Sequence, residues 1–224
     1  MAAPRLEQSL RQGLDAAALA LDEEQQRKLL AYIDLLQRWN ARFNLTAIRD
    51  PEAMVTRHLL DSLVLLPCLR EYYAGHLAGT NFIDVGTGAG LPGIPLAIAL
   101  PECHFTLLDS NGKKTRFLNQ ARTTLKLENV DVIHGRVEEQ QPGRRYAAVL
   151  SRAFASLSDM IDGCHQLPGP DGEFLAMKGQ RPDEEIAAVR DRLASLSVSD
   201  LDVPGLEEAR CLVRFTLAPA VTPS

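Results

Sequence analysis

The sequence predicts an α/β fold, with a doubly wound, mostly parallel, seven-stranded sheet and a small helical N-terminal cap. Residues 1–79 show apolar residues at helical spacing, whereas residues 80–224 alternate short apolar runs with longer amphipathic segments. Such alternation indicates strands joined by crossover helices, which produce a parallel sheet covered on both faces. The chain therefore divides into a helical cap, residues 1–79, and an α/β domain, residues 80–224.

The cap is expected to contain two helical stretches separated by a polar segment. Leu29 and Ile33 belong to an apolar series at helical spacing that starts after the acidic residues at Asp22. The polar residues 40–50 interrupt this pattern. Pro51 then suits the first position of the second helical stretch.

Seven segments of the α/β part are predicted to be strands. Five of them are short apolar runs at 81–85, 104–108, 130–134, 147–150 and 173–177, with helices at 91–100 and 112–127 between the first three. The last two, 201–203 and 211–217, flank a polar turn and predict a terminal hairpin.

Composition excludes several classes of protein. With 224 residues, 46% hydrophobic residues, 24% charged residues and a net charge of −5, the chain is expected to fold and not to coat nucleic acid generally. It lacks a signal-like start and an apolar run near the ~20 residues that span a bilayer, so a cytoplasmic protein without membrane contact is expected. No metal site is expected, because the four cysteines are widely spaced: Cys68, Cys103, Cys164 and Cys211.

A glycine-rich loop is the most informative stretch of the chain. The apolar run 82–85 leads directly into glycines at 86, 88, 90 and 93, and a helical segment follows. Glycines permit a tight turn with positive φ and let a ligand approach the backbone. Ligands of open parallel sheets bind at the carboxyl ends of the strands. We therefore expect Gly86, Gly88 and Gly90 to line a ligand cradle.

The spacing of this loop argues against a dinucleotide. Gly88, Gly90 and Gly93 match G-x-G-x-x-G, but that fingerprint places its first glycine directly after the strand. Pro92 and Pro95 also remove backbone donors that a pyrophosphate would use. A dinucleotide therefore fits the loop less well than another ligand, and an NAD-type oxidoreductase stays as an alternative interpretation.

Asp84 places a carboxylate just before the loop. Such a charge repels a pyrophosphate and suits a cationic ligand, such as the sulfonium and α-ammonium groups of S-adenosylmethionine. The other role open to Asp84 is to cap the loop's own amides, and the two roles are compatible.

Two later acidic positions complete a nucleoside site. Asp109 lies 23 residues beyond Gly86 at the end of the second strand, where an acidic residue accepts hydrogen bonds from ribose hydroxyls. Its alternative role is to cap the following helix. At the end of the third strand, Val137 is suited to contact an adenine ring, and a backbone amide or Glu138 is suited to bind the polar edge of that ring. A solvated acidic turn is the alternative.

Taken together, these residues resemble a class I S-adenosylmethionine-dependent methyltransferase, and more narrowly the bacterial ribosomal RNA small subunit methyltransferase G family, also called the glucose-inhibited division protein B family. The resemblance covers most of residues 39–180, in order. The matching segments are 39–40, 44–46, 57–62, 82–95, 107–110, 136–139, 151–156 and 177–179.

The resemblance implies transfer of a methyl group from S-adenosylmethionine to N7 of guanine 527 in the 530 loop of 16S rRNA. It also implies that Gly86 and Leu91 lie in the cofactor loop, that Val137 and Glu138 contact the adenosine, and that Arg152 closes the site. The implied partner is 16S rRNA or the small ribosomal subunit. Rival interpretations are a non-catalytic ribosome-assembly module that binds RNA, and a methyltransferase for a small molecule or protein.

The chemistry agrees with this implication. Guanine N7 carries a lone pair and no proton, so it attacks the methyl group in line without a general base. Arg152 is then expected to bind phosphate, guanine O6 or the cofactor carboxylate. Phe154 is a candidate for stacking on the base, with a core position as the alternative, and Lys178 is a weaker candidate for a phosphate contact.

Basic residues concentrate near the predicted cofactor edge. Residues 109–152 contain nine basic and five acidic residues, within a chain of net charge −5. Lys113, Lys114 and Arg116 are therefore candidates for contacts with RNA phosphates, with a solvated helix face as the alternative.

Overall fold

The N-terminal part consists of helices α1 (Ala2–Ala16) and α2 (Glu23–Phe43) in the computed structural model, which describes residues 2–140 and 145–219. The acidic start of α2 is confirmed as a capping box. Asp22 accepts a hydrogen bond from the Gln25 N–H, and the Gln25 side chain accepts one from the Asp22 N–H. The helix ends after Phe43, because Asn44 adopts a left-handed conformation with φ 49°.

The second helical stretch begins at Pro51, as predicted. It comprises α3 (Pro51–Met54), a π-helical turn (Val55–Leu60), α4 (Asp61–Leu63) and α5 (Leu66–Tyr72). Asp50 caps α3 by accepting a hydrogen bond from the Ala53 N–H. Short π-helical segments frequently occur at functional sites, and this one leads directly into Asp61.

A seven-stranded sheet forms the rest of the described chain, in the order β3-β2-β1-β4-β5-β7-β6. The first five strands are parallel, and β7 runs antiparallel to both neighbours. This arrangement confirms the predicted doubly wound, mostly parallel sheet. The strands are β1 (Asn81–Val85), β2 (His104–Asp109), β3 (Val130–His134), β4 (Tyr146–Ser151), β5 (Pro168–Lys178), β6 (Leu193–Asp200) and β7 (Cys211–Leu217).

Four helices follow strands of this sheet: α6 (Gly93–Ala99), α7 (Gly112–Thr124), α8 (Leu157–Cys164) and α9 (Asp183–Val189). Two short 3-10 turns, Val137–Glu139 and Arg190–Arg192, complete the connections. Among the described helices, none combines the length and apolar content needed to cross a bilayer.

The strand predicted at 201–203 is wrong. The first arm of the terminal hairpin is β6, and Leu201 and Val203 lie in the loop that follows it. These two residues are apolar because they pack into the hydrophobic cluster shared with the N-terminal helices. The arm β6 is half-buried, and serines at 195, 197 and 199 alternate with Leu196 and Val198, so its apolar signal is weak.

The strands bury alternate residues on opposite faces of the sheet, as a period of two requires. Phe82 and Leu107 face a cluster formed with the N-terminal helices, α6 and α7. Ile83 and Leu108 face the other cluster, which includes residues of α8 and α9. The N-terminal helices thus cover one face of the sheet, and the carboxyl ends of the parallel strands stay accessible. The division of the chain between residues 79 and 80 stays a prediction.

Candidate functional site

A cavity of about 430 Å³, here called the first cavity, lies at the carboxyl ends of β1, β2 and β3. This volume falls within the ~300–1,000 Å³ typical of small-molecule sites. Six residues selected from the sequence line it: Gly86, Asp109, Lys114, Val137, Glu138 and Phe154.

Gly86 forms the bend that opens this cavity. Its φ of +67° lies in the left-handed region, and a Cβ added to it would be 2.9 Å from the Cβ of Ala153. Its N–H donates to the carbonyl of Leu108, which ties the bend to the neighbouring strand. A side chain here would therefore strain the backbone and fill the gap between the loops that follow β1 and β4. The cradle predicted from the glycines fits a ligand that lies against bare backbone.

Asp84 is fully buried beneath the loop and does not line the first cavity. Its Oδ2 accepts hydrogen bonds from the Thr87 hydroxyl, at 2.6 Å, and from the Gly93 N–H, at 2.9 Å. Burial raises the pKa of Asp84 to about 7, although these two hydrogen bonds oppose the shift. The carboxyl therefore supports the loop from below, which is the capping role. Direct contact of Asp84 with a cofactor stays a prediction.

Asp109 lines the first cavity and orders its rim. Its Oδ2 accepts from the Gly88 N–H at 2.9 Å, and its Oδ1 accepts from the Asn111 N–H at 2.8 Å. The cap of α7 is Asn111, whose side chain accepts from the amides of Lys113 and Lys114. The helix-cap alternative for Asp109 is therefore excluded. A carboxylate oxygen can accept more than one hydrogen bond. Both oxygens of Asp109 therefore still have room for a hydrogen bond from a ribose hydroxyl.

The Val137–Glu139 turn supplies the wall of the first cavity beyond β3. Val137 is buried, with its carbonyl accepting from the Gln166 side chain, while the side chain of Glu138 is exposed. An apolar surface beside an exposed carboxylate is compatible with an adenine ring and its polar edge. Phe154 is partly buried and packs on the cluster around α8, so it combines a core position with a face on the cavity.

The remaining loop residues lie outside the lining of the first cavity. Gly88 and Gly90 have φ values of +63° and +90° and shape the turn, and Leu91 packs against the core on the cap side. The Tyr32 hydroxyl of α2 donates to the carbonyl of Ala89 at 2.8 Å. The N-terminal helices therefore hold the glycine loop in place.

The predicted basic residues of α7 separate into two groups. Lys114 lines the first cavity, with its Nζ 3.7 Å from Asp109 Oδ2. Lys113 and Arg116 are exposed and lie outside the cavity. Arg144, one of the nine basic residues counted above, lies outside the described residues.

Arg152 lies in a second cavity of about 290 Å³, beside the ends of β4 and β5. Its Nη2 is 2.9 Å from Oδ2 of Asp61, a carboxylate that is only 1% exposed. The other oxygen of Asp61 is 2.9 Å from Nε of Arg210. Arg152 directly precedes Ala153 and Phe154, which line the first cavity. One loop therefore separates the two cavities, and the structure does not place Arg152 in the lining of the first.

The π-helical turn supports Asp61 from behind. His58 is buried, its Nε2 is 2.9 Å from the Thr46 hydroxyl, and its Nδ1 is 3.0 Å from the carbonyl of Arg57. Burial lowers the pKa of His58. The Ser62 hydroxyl donates to the carbonyl of His58 at 2.6 Å. These contacts fix the turn from which Asp61 holds two arginines.

Lys178 also lines the second cavity, but its ammonium group already has partners. It is 2.8 Å from Oε2 of Glu185 and within 3.4 Å of the carbonyls of Phe154 and Ala155. The same Glu185 oxygen accepts from the Leu157 N–H at 2.8 Å. Lys178 therefore fastens the loop after β4 to α9, and a phosphate contact by this residue stays a prediction.

Sequence reasoning missed the roles of Asp61, Arg210 and Glu185. Asp61 belongs to the segment 57–62, which carries part of the family resemblance. The sequence therefore marked this position but did not indicate that Asp61 would pair with two arginines. Arg210 precedes β7 and lies beyond the last segment, 177–179, from which the sequence resemblance was drawn. The described residues contain no group of three or more His, Cys, Asp or Glu side chains that could hold a metal ion.

Comparison with known proteins decides the family. The family model described as rRNA small subunit methyltransferase G matches residues 25–213. The ribosomal RNA small subunit methyltransferase G of Cronobacter sakazakii is 52% identical over 200 residues, covering 89% of this chain and 93% of its own. This chain belongs to the rRNA small subunit methyltransferase G family.

Two further matches agree with that membership. The family protein of Enterobacter sp. is 50% identical over 200 residues, again covering 89% of this chain and 93% of its own. Among solved structures, the human methyltransferase 10 domain containing protein matches with a TM-score of 0.58 at 14% identity, over 83% of this chain and 95% of that one. This last likeness shows the fold alone. Membership of the methyltransferase G family favours S-adenosylmethionine over a dinucleotide as the cofactor of this chain.

Proposed function

We propose that this chain transfers a methyl group to N7 of guanine 527 in the 530 loop of 16S rRNA. As a member of its family, the chain is an S-adenosylmethionine-dependent rRNA methyltransferase. The observation that carries the finer proposal is the pair of cavities separated by a single loop. The first has glycines and carboxylates in its lining, together with Lys114 and Arg136. The second is lined by two arginines and a lysine around the carboxylate of Asp61.

The first cavity is where the cofactor fits. Asp109 would accept hydrogen bonds from its ribose, Val137 and Glu138 would contact its adenine, and the bend at Gly86 would leave space for its chain. When bound, the cofactor supplies a methyl group made electrophilic by the positively charged sulfur. Gly88, Gly90, Leu91 and Asp84 would hold the loop in this shape, and their direct contact with the cofactor stays a prediction.

The second cavity is where the acceptor nucleotide fits. It lies at the ends of β4 and β5, next to the cofactor position, and Arg152, Lys178 and Arg210 give it positive charge. Arginine binds phosphate, and it also donates to guanine O6. A donor placed on N7 would block the reacting lone pair. We therefore assign Arg152 to O6 or to the phosphate of the target nucleotide.

The chain's contribution to the reaction is alignment. Guanine N7 needs no deprotonation before it attacks, so neither a general base nor a nucleophilic side chain is required. Asp61 holds Arg152 and Arg210 in place through ion pairs. The loop from Ser151 to Ser156 would position the acceptor next to the bound cofactor. Ser151 anchors this loop, since its hydroxyl donates to the carbonyl of Val85 and accepts from the Ala153 N–H.

The substrate side of the proposal is rRNA in a loop conformation. In duplex RNA, N7 faces a deep and narrow groove that side chains do not enter, so the target guanine must be unstacked. Lys114 at the rim of the first cavity, together with Lys113 and Arg116 on the same helix, would attract phosphates. The site of action is then the small ribosomal subunit in the cytoplasm.

One assay tests this proposal. Purified protein is incubated with labelled S-adenosylmethionine and small subunits that lack the modification, and the label is located by nuclease digestion and mass spectrometry. The proposal predicts label in 7-methylguanosine at position 527. Label in another nucleoside or position contradicts it, and binding without turnover supports the non-catalytic assembly module.

A further inference from the structure

An aromatic and basic patch lies at the C-terminal end of α2, outside both cavities. It consists of Arg38, Trp39, Arg42 and Phe43, and we call it the Trp39 patch. These residues line a shallow depression of about 440 Å³. The segment 39–40 carries part of the family resemblance, but Trp39 has no role in the cofactor or acceptor cavity.

The aromatic rings of this patch are presented to solvent on a rigid support. Phe43 is 42% exposed, while the other large apolar side chains of the described residues are buried or half-buried. The Trp39 ring lies 5.2 Å from the Phe43 ring and 5.7 Å from the buried ring of Phe117 in α7, centroid to centroid. An exposed aromatic ring held in place by a second ring is suited to stacking, because little side-chain entropy remains to be lost.

The charge around the rings is positive. Arg42 is exposed beside Phe43, and Arg38 is exposed with its guanidinium 2.9 Å from Asp34. On the adjoining helix α7, Lys113 and Arg116 are exposed as well. This concentration of positive charge, in a chain with net charge −5, is complementary to phosphate.

The Trp39 patch connects with the first cavity through α7. Residues three and four positions apart share a face of a helix, so Phe117 lies one turn from both Lys113 and Lys114. Phe117 contacts Trp39, and Lys114 lines the first cavity. The first turns of α7, which carry Lys113, Lys114 and Arg116, therefore link the support of the patch to the rim of the first cavity.

We propose that the Trp39 patch binds single-stranded nucleotides of the substrate RNA that flank the target guanine. A base stacks on the exposed ring of Phe43, supported by Trp39, and the adjacent phosphate pairs with Arg42. Proteins that bind single-stranded nucleic acid combine stacking aromatic rings with basic side chains in this way. This inference rests on the proposed function, because it takes rRNA as the substrate.

The test measures the dissociation constants of two RNA ligands, a protein-free 16S rRNA transcript and the unmodified small subunit. Each is measured for the wild type and for the variants Phe43→Ala, Phe43→Tyr and Arg42→Ala. Loss of one stacked base weakens RNA binding by roughly 5- to 100-fold. We expect such a loss of affinity for both RNAs in Phe43→Ala, near wild-type affinity in Phe43→Tyr, and a reduced salt dependence in Arg42→Ala. The dissociation constant for S-adenosylmethionine should change less than about twofold, because the patch lies outside the first cavity.

Arg70→Ala is the matched control. Arg70 is exposed on α5. The residue after this helix, Tyr73, donates its hydroxyl to the carbonyl of Ala147 near the amino end of β4 and to Glu173 in the middle of β5, away from the strand ends that line both cavities. This variant should bind both RNAs as the wild type does. Equal binding of RNA by wild type, Phe43→Ala and Arg42→Ala would overturn the inference. So would a defect seen with small subunits but not with free rRNA, because the patch would then contact ribosomal protein.

The two proposals fail in different ways. Binding is measured without turnover, so methylation at another nucleotide contradicts the proposed function and leaves the binding comparison intact. Wild-type methylation of guanine 527 together with unchanged RNA binding by Phe43→Ala overturns the patch alone.

Discussion

The two cavities of this molecule are built in different ways. The first is shaped mainly by backbone. Gly86 has a positive φ, and the Asp109 carboxylate accepts hydrogen bonds from two backbone N–H groups. The second is shaped by side chains that come from distant parts of the chain, with Asp61 between Arg152 and Arg210. The loop after β4 separates them.

This difference shows which part of the site a sequence motif encodes. A cradle of backbone needs particular residues within a short segment, so its pattern is local and readable. An ion-paired cluster needs only charges brought together by the fold, over separations of about 90 and 150 residues here. Substitutions in the first cavity should therefore change binding of the cofactor, and substitutions in the second should change turnover of the RNA.

The largest effect is expected from Gly86→Val. A branched side chain at φ +67° strains the backbone and occupies the space next to Ala153. Affinity for S-adenosylmethionine, measured by calorimetry, should fall by more than about 100-fold. Gly79→Val is the control, since Gly79 also has positive φ, at +80°, but a Cβ there meets nothing within 4 Å. Equal losses of cofactor affinity in both variants would show that backbone strain in general, and not a side chain in the cradle, causes the effect.

A smaller and different effect is expected from Arg152→Ala. Removal of a charged hydrogen-bond donor should lower the turnover of small subunits by about 10- to 100-fold. The dissociation constant for S-adenosylmethionine should stay within about threefold of wild type, because Arg152 does not line the first cavity. Steady-state kinetics and calorimetry measure the two quantities separately. A large rise in that dissociation constant with normal turnover would move Arg152 into the cofactor site.

Asp84→Asn tests the loop support through pH. Burial raises the pKa of Asp84 to about 7 in the folded chain, whereas the unfolded carboxyl titrates near its usual value of about 4. The fold thus favours the neutral form, and this contribution to stability is complete below about pH 4 and is lost as pH rises through about 7. Asparagine does not titrate. The free energy of unfolding of wild type relative to Asp84→Asn, from urea titrations, should decrease between pH 5 and pH 8. A constant or increasing difference would show that Asp84 is ionised in the fold.

The smallest effect is expected from Tyr32→Phe. The change leaves the buried carbonyl of Ala89 without its 2.8 Å hydrogen bond, which should lower the free energy of unfolding by about 1–2 kcal/mol. Affinity for S-adenosylmethionine should fall a few-fold, because the glycine loop loses an anchor. Tyr73→Phe removes a hydroxyl at the opposite end of the sheet and should reduce stability without changing that affinity. The same response of cofactor affinity in both variants would contradict a specific role of Tyr32.

Much of the fold could be predicted from sequence, because the strands of a buried parallel sheet are short apolar runs. The failure at 201–203 has a physical cause, since Leu201 and Val203 are buried in the hydrophobic cluster that includes the N-terminal helices and not by strand pairing. Half-buried β6 escaped notice because serines dilute its pattern. Sequence reasoning selected six residues that line the first cavity. It did not show that the Asp84 carboxyl lies beneath the loop, since a spacing does not reveal the direction of a side chain. It also did not find the Asp61–Arg210 pair, which only tertiary structure brings together.

The most direct test of the account is a crystal structure of the chain with S-adenosylhomocysteine. We predict a ligand in the first cavity with its ribose on Asp109, its adenine against Val137, and its sulfur directed toward the loop between the cavities. A ligand bound in the second cavity, or a first cavity filled by the protein's own side chains, would contradict it.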